Sequence, residues 1–226
     1  MSTWVVLAAA GRGERLGSDL PKAFVKFGQR VLLAESMARL DACEWVDGIV
    51  VTTPAEWEEP AILLAEELGC DKVSAVIAGG ASRSESVKRG VDEIPDDAAV
   101  ILVHDAARPL LQDAVVDRLL KALLSGFDGA VPGLPLSDTI KRWRDGVVVE
   151  TPRRAELVAV QTPQAFLADV LRRALATGDL AAATDDSSLV EAVGGRVTVV
   201  EGDPRMLKIT DPEDLARALA YLEAGA

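Results

Sequence analysis

Short apolar runs rich in β-branched residues alternate with amphipathic stretches along most of the 226-residue chain, and that alternation dictates how its backbone can be covered. A strand buried on both faces reads as a continuous apolar run, whereas a crossover helix repeats its apolar residues at three- and four-residue steps. Residues 4–7, 48–52, 73–77 and 99–103 have the first character. Leu33, Met37 and Leu40 have the second, as do Leu64 and Leu68 ahead of Gly69. Residues 114–125, with Val115, Leu119, Leu120 and Leu123, continue the helical pattern and lead into a strand at 129–131. Strand and helix in strict succession build a mainly parallel sheet with helices on both faces, so the predicted class is α/β and Rossmann-like. Sheets of this kind take ligands outside the carboxyl ends of their strands.

The rhythm changes at Leu136. Two short strands flank Asp145-Gly146, a dipeptide suited to a tight hairpin turn. A helix is then expected at 166–176, another at 187–193, and a strand at 196–200. Asp211 is placed as the N-cap of a last helix, with Pro212 at its first position and Leu215, Leu219 and Leu222 along one face. The chain thus reads as a single domain, 1–226, carrying a β-arm insertion at about 136–156. A hairpin of mixed charge has little core of its own, and a second copy of the chain is the simplest surface for it to pack on. A homodimer is expected.

Composition removes several classes of function. Lys and Arg number 24 against 36 Asp and Glu, a formal charge of −12, which is wrong for a surface that neutralises many phosphates of a nucleic acid. With 49% apolar and 27% charged residues the chain can fold around an ordinary core. The apolar stretch near the start is too short for a secretion signal and lacks a basic lead. No window is long enough to span a membrane. Cys43 and Cys70 are too few for a disulfide framework and read as reduced, buried side chains, which gives a cytoplasmic address.

Chemistry concentrates after the first strand, where AAAGRGERLG supplies a glycine turn of the kind that brings backbone N–H groups to a phosphate. A dinucleotide fingerprint is missing: the glycines stand at 11, 13 and 17, Leu16 occupies the third slot, and no acid ends the second strand. No Gly-Lys-Ser/Thr triplet occurs, so a P-loop is excluded. The loop is nonetheless cationic on an acidic chain: Arg12, Arg15, Lys22, Lys26 and Arg30 face only Glu14 and Asp19 between positions 11 and 30. Fixed cations beside backbone donors suit phosphoryl or nucleotidyl transfer, in which charge grows on the departing phosphate. Asp105 ends another strand at the same edge. His104, the sole histidine, is read as a packing and hydrogen-bonding residue, because a phosphate monoester is already a nucleophile near neutral pH.

Ala9-Ala10-Gly11-Arg12-Gly13-Glu14-Arg15, followed by Pro21-Lys22, is similar to the signature of nucleotidyltransferases. GGASRSESVKRG, VHDAARP, DTIK, QTPQAF, TDDSSLVE and LKITDPEDL extend the match from residue 3 to about 222. Together they resemble the 2-C-methyl-D-erythritol 4-phosphate cytidylyltransferase family of the non-mevalonate isoprenoid pathway. The resemblance implies a GT-A-like nucleotidyltransferase fold, CTP and a polyol phosphate as substrates, Mg²⁺ as cofactor, and a dimer closed by the β-arm. It implies that Arg15 and Lys22 stabilise the pentacoordinate α-phosphorus and that Arg154 and Lys208 hold the attacking phosphate in line. Ala10, Gly11, Gly80 and Ser86 fall where the family binds CTP. Asp105 falls at the substrate and the metal, Arg108 at the sugar phosphate, and Thr139, Thr162 and Thr184 at the methylerythritol phosphate. A ribitol-5-phosphate cytidylyltransferase, sharing the loop, the lysine and the aspartate, is the nearest alternative. A catalytically silent nucleotide-binding module is the other, and the survival of Arg15, Lys22 and Lys208 speaks against it.

Overall fold

The expected strands close into one eight-stranded sheet in a computed structural model, which describes residues 2–11, 13, 16–17, 19–181 and 183–225. Its centre is β1 (Thr3–Ala8) between β4 (Gly48–Thr53) and β6 (Val100–Asp105), all parallel, with β5 (Val73–Ala78) outside β4. Beyond β6 lie β11 (Gln164–Leu167) and β7 (Gly129–Pro135), and β11 runs antiparallel to both. The far edge of β7 carries β12 (Val197–Glu201) in parallel, while β10 (Val158–Val160) continues antiparallel to β7 past the end of β11.

Period-two alternation in the strands sorts the helices. Val5, Leu7, Ile49, Val51, Val100 and Leu102 face a core layer built with α1 (Leu32–Ala42), α2 (Glu58–Leu68) and α4 (Asp113–Leu124). Val6, Val50, Ile101 and Val103 face the opposite layer, with α3 (Arg83–Asp92), α5 (Ala168–Thr177) and α6 (Asp186–Ala192). A third cluster joins α7 (Pro212–Glu223) to Phe27, Leu32, Leu110 and Ile209 beside the small ribbon of β2 (Lys26–Phe27) and β3 (Arg30–Val31). Asp211 caps α7 as expected, its side chain accepting the Asp214 N–H at 2.9 Å, and Pro212 opens the helix.

Most boundaries shift by a residue or two from the sequence reading, and two of the differences have a clear physical cause. The helix expected from Phe166 begins at Ala168, because Gln164–Leu167 is drawn into the sheet between β6 and β7, where Phe166 is fully buried. Short apolar runs do not separate strand from helix by periodicity, and here sheet pairing decides. The strand expected at 129–131 continues to Pro135, since a proline within a strand can still accept, as the Pro132 carbonyl does from the Gln161 N–H at 2.8 Å. The hairpin matches its expectation: β8 (Arg142–Arg144) and β9 (Val147–Glu150) turn through Asp145 and Gly146, both at positive φ, 49° and 82°.

Candidate active site

The carboxyl ends of β1, β5 and β6 open onto a cleft of about 700 Å³, the position where an open α/β sheet receives ligands. Ala10, Gly11 and Gly13 follow β1, Gly80 and Ser86 follow β5, Asp105 ends β6, and Lys22, Arg83 and Lys208 bring cations to the described lining. The loops approach closely because side chains are absent where they meet. A Cβ on Gly13, which lies at φ 71°, would come within 2.5 Å of the Lys22 Cβ, and one on Gly79 within 2.6 Å of the Ala10 Cβ. The Lys22 N–H donates to the Gly11 carbonyl at 3.3 Å, tying the cation to the glycine turn.

The third loop is set by α3. Ser82 caps this helix, accepting the Glu85 N–H at 3.1 Å, and Glu85 reaches back to accept the Ala81 N–H at 2.9 Å, a variant of the capping box. The Ser86 hydroxyl accepts from the Gly80 N–H and donates to the Ser82 carbonyl, both at 2.9 Å, so it fixes the shape of the glycine pair.

Asp105 is the only acidic side chain among the described residues lining the cleft. Arg83 donates to its Oδ1 at 3.0 Å and Lys208 to its Oδ2 at 2.7 Å. Burial works to raise the Asp105 carboxyl, but the two cations outweigh it and hold it well below the usual carboxylate range. Arg83 also donates to Asp186 Oδ2 at 2.9 Å, whereas burial pushes the Asp186 carboxyl up against that pull.

Behind Asp105 lies a buried relay. The Thr162 hydroxyl accepts the Asp105 N–H at 3.0 Å and meets His104 Nδ1 at 3.1 Å, while His104 Nε2 meets the Arg108 carbonyl at 3.1 Å. Burial pushes the imidazole down to about 4, so it is neutral at ordinary pH with both ring nitrogens engaged. This agrees with a structural histidine. Arg108 donates to the Met206 carbonyl at 2.8 Å, and its Nε is buried without a hydrogen-bond partner among the described residues.

The expected site residues therefore separate into groups. Ala10, Gly11, Lys22, Gly80, Ser86, Asp105 and Lys208 are brought together around the cleft. Thr162 sits just behind its wall. Arg108 is anchored near the loop before Lys208. Thr139, Arg154 and Thr184 are exposed and outside the lining, with Arg154 donating to the Ser137 carbonyl. Arg15 lies outside the described residues. Sequence reasoning missed Arg83 and Asp186. The Ser82-x-x-Glu85 spacing marks a helix start at Arg83, but nothing local reveals that its partner stands 103 residues away.

A mainly parallel sheet with a cationic, glycine-lined cleft at its carboxyl edge defines a nucleotidyltransferase. The family model of 2-C-methyl-D-erythritol 4-phosphate cytidylyltransferase (IspD) matches residues 3–224, and the chain belongs to that family. It is 46% identical to a protein of that name from Nocardia farcinica over 226 residues, covering all of this chain and 96% of the relative. A Frankia casuarinae protein of the same name is 45% identical over 96% of this chain and 80% of its own length. Among solved structures, the Thermus thermophilus enzyme superposes with a TM-score of 0.78 at 33% identity, over 96% of this chain and 98% of that one. The 4-diphosphocytidyl-2C-methyl-D-erythritol synthase of Anaerococcus prevotii superposes with 0.84 at 25% identity, over 98% and 96%.

Proposed function

We propose that the cleft transfers a cytidylyl group from CTP to 2-C-methyl-D-erythritol 4-phosphate. A phosphate oxygen of the polyol attacks the α-phosphorus of CTP, a new P–O bond forms, and the bond to the bridging oxygen breaks, with pyrophosphate leaving on that electron pair. The monoester oxygen is already ionised near neutral pH, its second pKa lying near about 6, so no general base is required. That fits a chain whose single histidine is buried and neutral. The observation carrying this reading is the meeting of Lys22, Lys208 and the glycine turns in one cleft at the sheet's carboxyl edge.

In this reading Lys22 and Arg15 stabilise charge on the α-phosphorus and the leaving pyrophosphate. Ala10, Gly11, Gly80 and Ser86 shape the CTP pocket. Lys208 and Arg154 align the attacking phosphate, with Arg108, Thr139, Thr162 and Thr184 around the polyol. Arg154 and Thr139 lie by the arm, so a second copy of the chain is the proposed source of the enclosure they need. The arm has the surface for such a dimer: Trp143, Val147, Val148 and Val149 are each more than half exposed.

A magnesium ion fits the donor chemistry. Mg²⁺ is bound through one or two carboxylates plus substrate phosphates, and no group of three or more His, Cys, Asp or Glu could hold a metal unaided among the described residues. Asp105 would hold it: the carboxylate is kept ionised, and each oxygen retains an accepting site beyond its cation. When bound, the ion would neutralise charge on the departing pyrophosphate. Both cysteines are buried free thiols and no helix of the described residues is long and apolar enough to cross a membrane, which supports a cytoplasmic setting.

Pyrophosphate release from CTP tests the assignment, with 2-C-methyl-D-erythritol 4-phosphate and ribitol 5-phosphate offered separately. Turnover with the first alone is expected. Turnover with ribitol 5-phosphate alone would reassign the substrate, and CTP binding without release from either would leave a silent nucleotide-binding module.

A further inference from the structure

Among the described residues lining the cleft, Lys22, Asp105 and Lys208 carry charges that the proposed reaction uses, and Arg83 carries one that it does not. This residue opens α3, lines the cleft and joins two carboxylates that are almost fully buried, Asp105 at 6% exposure and Asp186 at 0%. Its Nε serves Asp105 and its Nη1 serves Asp186, a use of the planar fork that lysine cannot reproduce. Asp186 Oδ1 has no partner among the described residues, so Arg83 is the cation on which that buried carboxylate depends.

The two cations on Asp105 are held differently. Arg83 is anchored at two points, whereas Lys208 reaches Asp105 Oδ2 with an ammonium on a flexible, 40%-exposed side chain. The attacking phosphate entering the cleft competes with Asp105 for Lys208. Were Lys208 the only compensating charge, its departure would strand a buried carboxylate, and the ion pair would resist the substrate.

We propose that Arg83 is a positioning residue for this reaction: anchored on Asp186, it keeps Asp105 oriented and compensated, so that Lys208 can pass from the carboxylate to the attacking phosphate. The inference rests on the proposed cytidylyl transfer. Arg83 touches neither reacting atom. It acts through Asp105 and through the release of Lys208.

Arg83→Gln and the double variant Arg83→Gln with Asp186→Asn test this, because they separate two roles for the same guanidinium. Arg83→Gln alone should lower both the melting temperature and kcat, since it orphans Asp186. Adding Asp186→Asn removes the orphaned charge and should restore the melting temperature. In the double variant kcat should stay down by about ten- to a hundredfold, with KM for the polyol phosphate raised and CTP affinity by calorimetry changed by less than about twofold. Arg83→Lys, which keeps the charge but loses the fork, should also lose about tenfold in kcat. A double variant with wild-type kcat and wild-type KM for the polyol phosphate, or an Arg83→Lys enzyme with wild-type kcat, would overturn the inference while leaving the reaction assignment intact. A wild-type chain that releases no pyrophosphate with either polyol phosphate would overturn the assignment and this inference together.

Discussion

The cleft and the hairpin arm are built on opposite terms. At the cleft, the described charges are partly or wholly buried and centre on Asp105, which accepts from Arg83 and Lys208 and, through its own N–H, is tied to Thr162. Along the arm, residues 141–151 are all exposed, and its ion pair Arg142–Glu150, though short at 2.6 Å, has 63% and 51% of its side chains open to solvent. An exposed pair contributes about 0–1 kcal/mol and fixes little. The cleft can hold its geometry within one chain. Among the described residues the arm has no layer to pack against, and Trp143 and its valines stay exposed within the chain.

The contrast divides the proposed site in two and can be broken at either end. The largest effect is expected at the cleft, where Lys22→Ala should lower kcat by about two to three orders of magnitude, as loss of a preorganised donor to a growing negative charge does. Single-turnover measurements with saturating CTP would check it, and an unchanged kcat would remove Lys22 from the chemistry. Acid gives the next largest response. His104 titrates near its ordinary value, about 6.5, when unfolded and at about 4 when folded, so below 6.5 the unfolded chain takes up the proton first. The stability it supports is complete above that range and should fall by roughly 3 kcal/mol as pH drops through the window from 6.5 to 4. Asp105, held low in the fold, adds loss in the same direction at lower pH still. Melting curves from pH 7 to 4.5 would show the decline, and a flat profile would deny the buried neutral imidazole.

Arg154→Ala addresses the exposed half. KM for the polyol phosphate should rise by about ten- to a hundredfold, the worth of a charged hydrogen bond, with kcat changed less. A pure loss of kcat with KM intact would move Arg154 from binding to chemistry. The smallest effect on stability belongs to the arm itself: Trp143→Ala should change folding free energy by within about 0.5 kcal/mol while shifting the sedimentation profile toward monomer. An unaltered oligomeric state would show that the arm does not use this tryptophan.

Much of the fold could be read directly from the chain because its signals are local. Continuous apolar runs marked β1, β4, β5 and β6, three- and four-residue spacing marked α1, α2 and α4, and Asp211-Pro212 marked the start of α7. Gln164–Leu167 resisted, since four residues carry no usable period and only pairing with β6 and β7 makes them a strand. The three-residue β10 resisted for the same reason.

At the site, residue types and the order of motifs were enough to name the glycine turns, Lys22, Asp105 and Lys208 and to place the chain in its family. Which charges meet was beyond that reading. Lys208 and Asp105 are 103 residues apart, as are Arg83 and Asp186, and ion pairing at such separation leaves no pattern in the intervening chain. The amino-acid order fixes where backbone will be extended, helical or turning, because those preferences act over a few residues. Folding alone brings distant strand ends to one edge and excludes water there, and with water gone the pairing of each buried charge becomes compulsory.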